Sequence, residues 1–257
     1  MNPVPRIALV TGAAHRIGRA IAVALAQRGW DIVVHYSTSA TEAQQTVSEI
    51  QAAGRRAVAL QADLADAVQT AGLLAQCAAA MGEASCIINN AARFDFDDAA
   101  TLSPEQFDAH MHINLLAPLL LARELHGRLT AAAGNTQGVV VNLLDQKLDN
   151  YNPDFMSYTL SKAGLAAATV MLAQALAPRI RVLGVAPGIT LASANQSEAG
   201  FARAYSSTPL GYSCTPQDVA DAVCFAVEAR AMTGTTLVVD GGQHLVASPR
   251  DVMFLAE

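Results

Sequence analysis

The sequence predicts an α/β fold, with residues 1–257 forming a single domain on a doubly wound parallel sheet of about seven strands. Three observations carry this expectation. Short β-branched apolar runs recur at intervals that leave room for crossover helices. The runs are apolar throughout rather than alternating, as parallel strands buried on both faces require. Ala-rich stretches with 3.6-residue periodicity fill the intervals. The chain has 257 residues, 52% hydrophobic and 15% charged, which is enough for one large core. Only 5% of it is aromatic, so the core must be built from Ala, Val, Leu and Ile.

The first run is Ile7-Ala8-Leu9-Val10, and Ile21, Leu25 and Ala26 mark the helix after it. Ile32-Val33-Val34 follows, then a helix carrying Val47 and Ile50, then Ala57-Val58-Ala59-Leu60. Cys86-Ile87-Ile88, Val139-Val140-Val141, Ile180-Arg181-Val182-Leu183 and Leu237-Val238-Val239 complete the set. No Pro/Gly/Ser-rich linker and no internal repeat divides the chain. Residues 193–215 break the alternation and are rich in Ser, Ala and Gly, so an irregular substrate loop is expected there. The C-terminal tail, 245–257, carries Arg250, Met253, Phe254 and Leu255. Apolar side chains at a terminus need a surface to cover them, and the expected surface is a neighbouring subunit. The small-residue face Ala163, Gly164, Ala167 and Ala168 suits close packing, between subunits or within one.

Several classes of function fall away. The formal net charge of −6 provides no cationic field for a nucleic-acid backbone. The most apolar helical stretch, Ala163 to Ala177, is interrupted by Gln174 and falls short of the roughly 20 residues that cross a bilayer. Met1-Asn2-Pro3-Val4-Pro5-Arg6 lacks the basic and apolar regions of a signal peptide, so a soluble cytoplasmic protein is expected. The four cysteines, Cys77, Cys86, Cys214 and Cys224, form no C-x-x-C pair and read as buried thiols. Asp95, Asp97 and Asp98 read as a solvated acidic loop. His110 and His112 point to different sides of a helix. No metal is expected.

Directly after the first strand stands Thr11-Gly12-Ala13-Ala14-His15-Arg16-Ile17-Gly18. Gly12 and Gly18 let the backbone approach a pyrophosphate, and the helix opening at Ile17 offers its N–H groups and dipole to the anion. Arg16 occupies a position that many such turns give to glycine, and its guanidinium can reach phosphate oxygens. The end of the second strand reads His35-Tyr36-Ser37-Thr38-Ser39, without the carboxylate that an NAD-specific site places on the ribose 2′-hydroxyl. Hydroxyls, His35 and Arg16 would welcome a 2′-phosphate, so the expected cofactor is NADP(H). Asp63 and Leu64, after the third strand, are expected beside the adenine. Tyr158-Thr159-Leu160-Ser161-Lys162 sets a phenol and an ammonium four residues apart on one helix face. A cation so placed is expected to lower the phenol pKa from roughly 10 and ready it as a general acid.

The order and spacing of Thr11-Gly12…Gly18, Asn89-Asn90-Ala91-Ala92, Asn114, Tyr158…Lys162, Pro187-Gly188 and Asp240-Gly241-Gly242 resemble the short-chain dehydrogenase/reductase family from about residue 6 to residue 245. The resemblance implies one Rossmann-like domain, hydride transfer from a nicotinamide, and a homotetramer or homodimer. It implies Tyr158 as the catalytic acid, Lys162 on the nicotinamide ribose and Asn114 in a water-linked proton relay. It further implies Asn90 and Ala91 flanking the cofactor, and Pro187, Gly188, Ile189 and Thr190 at its nicotinamide end.

One departure redirects the substrate expectation. The family usually has Ser thirteen residues before the Tyr, and this chain has Asp145. A carboxylate facing a developing alkoxide repels it, whereas the same group can hold or relay a proton to a ring nitrogen. The pteridine reductase branch is similar here: it has Asp at this position, a basic first turn, and Phe at the position of Phe94, on which the pterin stacks. Ala92 replaces the Ser usual in that branch. The resemblance therefore implies reduction of a dihydropteridine or dihydrofolate C=N bond, with Arg16, Phe94, Asp145 and Tyr158 meeting the substrate. The alternatives are an NADPH-dependent 3-oxoacyl-type carbonyl reductase and a non-catalytic NADP(H)-binding sensor.

Overall fold

The structure, a computed structural model, describes residues 6–132, 136–192 and 196–255. The start of the 193–215 segment, the extreme N-terminus and residues 256–257 lie outside the described residues. Seven strands form one sheet: β1 (Ile7–Val10), β2 (Asp31–Tyr36), β3 (Ala57–Gln61), β4 (Cys86–Asn89), β5 (Gly138–Leu143), β6 (Ile180–Pro187) and β7 (Thr236–Val239). Their order is β3-β2-β1-β4-β5-β6-β7 and every pairing is parallel. The chain builds outward from β1 to β3, then returns to lay β4 on the other side of β1. That reversal opens a crevice at the carboxyl ends of β1 and β4.

The continuous apolar runs follow from two cores, one on each face. Ala8, Val10 and Ile88 turn to one face, where Ile21 and Leu25 of α1 (Arg16–Gln27), Val47 and Ile50 of α2 (Ala40–Ala52) and Val223 of a later helix cover them. Ile7, Leu9 and Ile87 turn to the other, covered by Leu73 and Leu74 of α3 (Ala67–Met81) and further along by Leu121 and Leu125. Every residue of β1, β4 and β5 is buried, whereas the edge strands β3 and β7 are partly exposed.

The next helix, α4 (Pro104–Met111), is capped by Ser103 and runs into a π-turn at His112–Leu116 before α5 (Ala117–Ala131) continues. The π-turn rotates Asn114 inward, where it is buried. The long helix α6 (Met156–Ala175) carries Tyr158 and Lys162. Gly164 of its small-residue face packs on Leu115 of the same chain, at a distance a Cβ would reduce to 2.9 Å.

The 193–215 segment is not wholly irregular. Ser197 caps α7 (Glu198–Ser206), accepting from Gly200 N at 3.0 Å. Beyond it, α8 (Pro216–Glu228) opens with a capping box between Thr215 and Asp218 and contributes Val223 to the first core. The tail folds back on its own chain, and its last described residues form a single helical turn, α9 (Val252–Leu255).

Candidate active site

The first turn is built to receive an anion. Gly12 adopts φ +62°, and a Cβ on Gly18 would lie 2.1 Å from the Gly12 carbonyl oxygen, so only glycine lets the turn close on the helix. Arg16, at the position often given to glycine, is held at φ +54°, a strained conformation for a side-chain-bearing residue. His15 is the N-cap of α1 but makes no side-chain cap, and the first turn holds no acid, so the leading N–H groups face the crevice unclaimed by side chains.

His35 plays a different part from the one expected. Its ring is buried, Nδ1 accepts from Gly12 N at 3.1 Å, and Nε2 donates to the Ala62 carbonyl at 3.1 Å. Burial lowers its pKa from 6.5 to about 4. The imidazole is therefore neutral, and it fixes the glycine turn instead of offering charge to a phosphate. The cation at this turn is Arg16, which donates to the Ala192 carbonyl at 3.3 Å, and His15 lines the cavity beside it. Asp31, at the opposite end of β2, pairs with Arg55 at 2.6 Å and Arg56 at 2.8 Å.

One cavity of about 570 Å³ runs along the carboxyl edge of the sheet. Gly12, His15, Arg16, Ile17, Gly18, His35, Tyr36 and Ser37 line it from the first two strands, and Asp63 and Leu64 from the third. The next helix is capped by Asp66, not Asp63. Asn90 and Ala91 line the cavity after β4, with Asn90 tied to the Thr11 and Gly12 carbonyls at 2.9 and 3.2 Å. Pro187, Gly188 and Thr190 line it after β6, where Gln243 Oε1 accepts from Ile189 N at 3.2 Å. Phe94, Asp145, Tyr158 and Lys162 complete the set.

Asn114 is absent from that wall. Its carboxamide accepts from Arg93 N at 2.8 Å, donates to Arg93 O at 3.0 Å and donates to Ser161 Oγ at 2.9 Å. It clamps the loop that presents Phe94 onto α6. The ring of Phe94 stacks on Phe155 at 4.3 Å and meets Tyr158 edge-on at 4.7 Å.

Tyr158 donates its hydroxyl proton to Asp145 Oδ2 at 2.8 Å, and Lys162 donates to the Leu143 carbonyl at 2.6 Å. Tyr158 and Lys162 are buried and Asp145 is half-buried. Burial raises the Asp145 pKa against the opposing pull of Lys147 N–H, Tyr158 and Lys162. Burial and the neighbouring Asp145 push Tyr158 well above its ordinary value, opposite to the lowering expected from Lys162. The ammonium stands 5.7 Å from the phenol ring centroid and its proton goes to a backbone carbonyl, so desolvation wins. Lys162 itself falls from 10.5 to about 8 because it is buried.

Two features escaped the sequence reading. Asp97 is buried, not solvated: it accepts from Ser157 N at 3.0 Å and from Ser157 Oγ, and its carbonyl accepts from Met156 N at 3.2 Å. The residue before α6, Phe155, sits at φ +55° with no side-chain cap of its own, so Asp97 caps the Tyr158 helix from a distant loop. The other is the tail, whose Asp251, Val252 and Met253 join Gln146 and Lys147 in the cavity wall. No cluster of His, Cys, Asp or Glu suited to a metal occurs among the described residues.

The cavity fits a dinucleotide on its own geometry. The closed glycine turn, the uncapped helix start and a β2 end bearing Ser37 and Thr38 in place of a carboxylate match a pyrophosphate and a 2′-phosphorylated ribose. Comparison with known proteins follows the same line. A family model described as enoyl-(acyl carrier protein) reductase matches residues 12–244. An uncharacterized oxidoreductase of Methylorubrum extorquens is 34% identical over 248 residues, covering 92% of this chain and 97% of its own. The 3-oxoacyl-[acyl-carrier-protein] reductase FabG of Staphylococcus aureus is 29% identical over 243 residues, covering 93% and 98%. Among solved structures, FolM alternative dihydrofolate reductase 1 from Brucella canis, complexed with NADP, superposes with a TM-score of 0.89 at 38% identity, covering 95% and 96%.

Proposed function

The chain belongs to the short-chain dehydrogenase/reductase family, and we propose that it is an NADPH-dependent reductase of the C=N bond of a dihydropteridine or dihydrofolate. The observation that carries this reading is the Tyr158–Asp145 pair, a buried phenol donating at 2.8 Å to a half-buried carboxyl beside an aromatic platform. The likeness to a dihydrofolate reductase of the same fold supports it.

NADPH, when bound, supplies the hydride to the carbon of the C=N bond. Gly12, Gly18 and the start of α1 hold its pyrophosphate, and His15, Arg16, Tyr36 and Ser37 its ribose phosphate. Asp63 and Leu64 flank the adenine. Asn90, Ala91, Pro187, Gly188 and Thr190 bound the nicotinamide end. Phe94 presents a flat face to a flat heterocycle. Arg16 reaches toward both phosphate and substrate edge. Tyr158 gives its proton to the ring nitrogen as that nitrogen gains the electron pair of the C=N bond. Asp145, whose burial favours the protonated form, returns a proton to the phenolate. Lys162 stabilises the anion while it exists and donates to the ribose. Asn114 acts by position, fixing Arg93 and so Phe94 against α6. The exposed Leu160, Val170 and Met171 of α6 support assembly as a homodimer or homotetramer.

A carbonyl reductase is the second reading, favoured by the likeness to FabG, and the two differ in whether the Tyr158–Asp145 pair meets a ring nitrogen or a carbonyl oxygen. The test is NADPH oxidation with dihydrobiopterin, dihydromonapterin, dihydrofolate and a 3-oxoacyl thioester. Turnover of at least one pteridine is expected. Rapid turnover of the thioester with none of the pteridines would overturn the proposal.

A further inference from the structure

The chain's own C-terminal strap forms part of the cavity wall. Arg250 reaches the buried Asp154 carboxylate with Nε at 2.8 and 2.9 Å from its two oxygens, and Asp251 N donates to the same group at 2.7 Å. The buried Lys147 ammonium donates to the Asp154 carbonyl at 2.5 Å and stands 3.4 Å from Asp251 Oδ2. Phe254 completes the attachment, 5.4 Å from the Phe96 ring and 6.1 Å from Phe155, the ring on which Phe94 stacks. These contacts bring Asp251 to the cavity, close enough to Asp145 and Tyr158 to act on both electrostatically.

A carboxylate has about four lone-pair sites. At Asp251 only two partners are seen among the described residues, Lys147 and Met253 N at 3.2 Å, so acceptor capacity remains. Gln146, beside it in the wall, has a buried Oε1 with no hydrogen-bond partner. This part of the site therefore offers acceptors and asks for donors. On the pteridine reading, the reacting ring of the substrate would face Tyr158 and lie on Phe94. What remains of a 2-amino-4-oxo heterocycle is an amidine-type edge, a ring N–H beside an exocyclic amine.

We propose that Asp251 is a specificity-determining residue that accepts hydrogen bonds from that edge, so the strap selects 2-amino heterocycles over their 2-oxo counterparts. This rests on the pteridine reading above. A 2-oxo ligand would set a carbonyl against the carboxylate and leave a buried acceptor unpaired. The competing role for Asp251 is that of a latch for Lys147, which would stiffen the wall without discriminating between ligands.

The test is calorimetric binding of 6-methylpterin (2-amino) and 6-methyllumazine (2-oxo) to the NADP⁺-loaded protein. The unmodified protein should prefer the pterin by about tenfold or more, the worth of a hydrogen bond to a charged group. Asp251→Ala should bring the two affinities within about twofold, by weakening the pterin and relieving the repulsion of the 2-oxo compound. Arg250→Ala, which loosens the strap that positions the carboxylate, should reduce the preference for the pterin, but less than Asp251→Ala does, because Asp251 N stays bonded to Asp154 and Lys147 keeps its contact with Asp251. A preference that survives Asp251→Ala, or equal binding of the two compounds by the unmodified protein, overturns the proposal while the reductase reading stands. Binding of neither compound by the unmodified protein removes both.

Discussion

Acidification should loosen the nucleotide turn through one residue, His35. In the folded chain its Nδ1 must stay unprotonated to accept from Gly12 N, and its pKa is about 4, against 6.5 for a solvated imidazole. Between those values the unfolded chain takes up a proton that the folded chain refuses. Stability from this group is therefore complete above 6.5 and drains away as the pH falls toward 4. The slope is about 1.4 kcal/mol per pH unit, and the whole interval amounts to about 3 kcal/mol, a large share of a typical folding free energy. The assay is urea unfolding of the unmodified protein and of His35→Asn at about pH 7 and about pH 4.5. Asn retains an acceptor for Gly12 N but does not titrate. The unmodified protein should lose about 2–3 kcal/mol more than the variant over that interval, and NADPH affinity should fall in parallel. Identical pH slopes for the two proteins would refute the reasoning.

Asp145→Asn keeps acceptors for Tyr158 and for Lys147 N but removes the exchangeable proton, so kcat for a dihydropteridine should drop about a hundredfold with little change in KM. An unchanged kcat would remove Asp145 from the chemistry. Asp97→Ala strips the far-side cap from α6, and should lower stability by about 2–4 kcal/mol and Tm by about 4–12 °C, with a fall in kcat. Ser157→Ala should show a smaller loss in the same thermal melt, and equal losses would sink the capping account. Lys162, at about 8, supplies the basic limb of kcat/KM in the free enzyme, so activity should decline above that pH as the ammonium is lost. Tyr158, raised well above its ordinary value, stays protonated throughout, and a profile flat through pH 8 would contradict the assignment.

The sheet was legible because its central strands are buried on both faces and so are written as unbroken apolar runs. The nucleotide turn was legible for a similar reason, since close backbone approach demands Gly12 and Gly18 at fixed positions. The misread features depend on contacts remote in sequence. Asp97 looks like its solvated neighbours Asp95 and Asp98, and only the approach of Ser157 makes it a cap. His35 looks like a cation, and only burial between Gly12 and Ala62 makes it neutral. The effect of Lys162 on Tyr158 follows from spacing alone until desolvation by the surrounding fold outweighs it. The tail showed its need for cover through Phe254 and Met253, but the covering surface, Asp154, Phe155 and Phe96 of the same chain, is assembled from distant segments. α7 had a local signal too, Ser197 followed by Glu198.

A crystal structure with NADP⁺ and a pterin bound tests the central claim most directly. The account predicts the heterocycle lying on Phe94 with a ring nitrogen about 3 Å from the Tyr158 hydroxyl and Asp145 behind it. A pterin bound away from that pair, with Tyr158 still donating to Asp145 and facing no ring nitrogen, would contradict it.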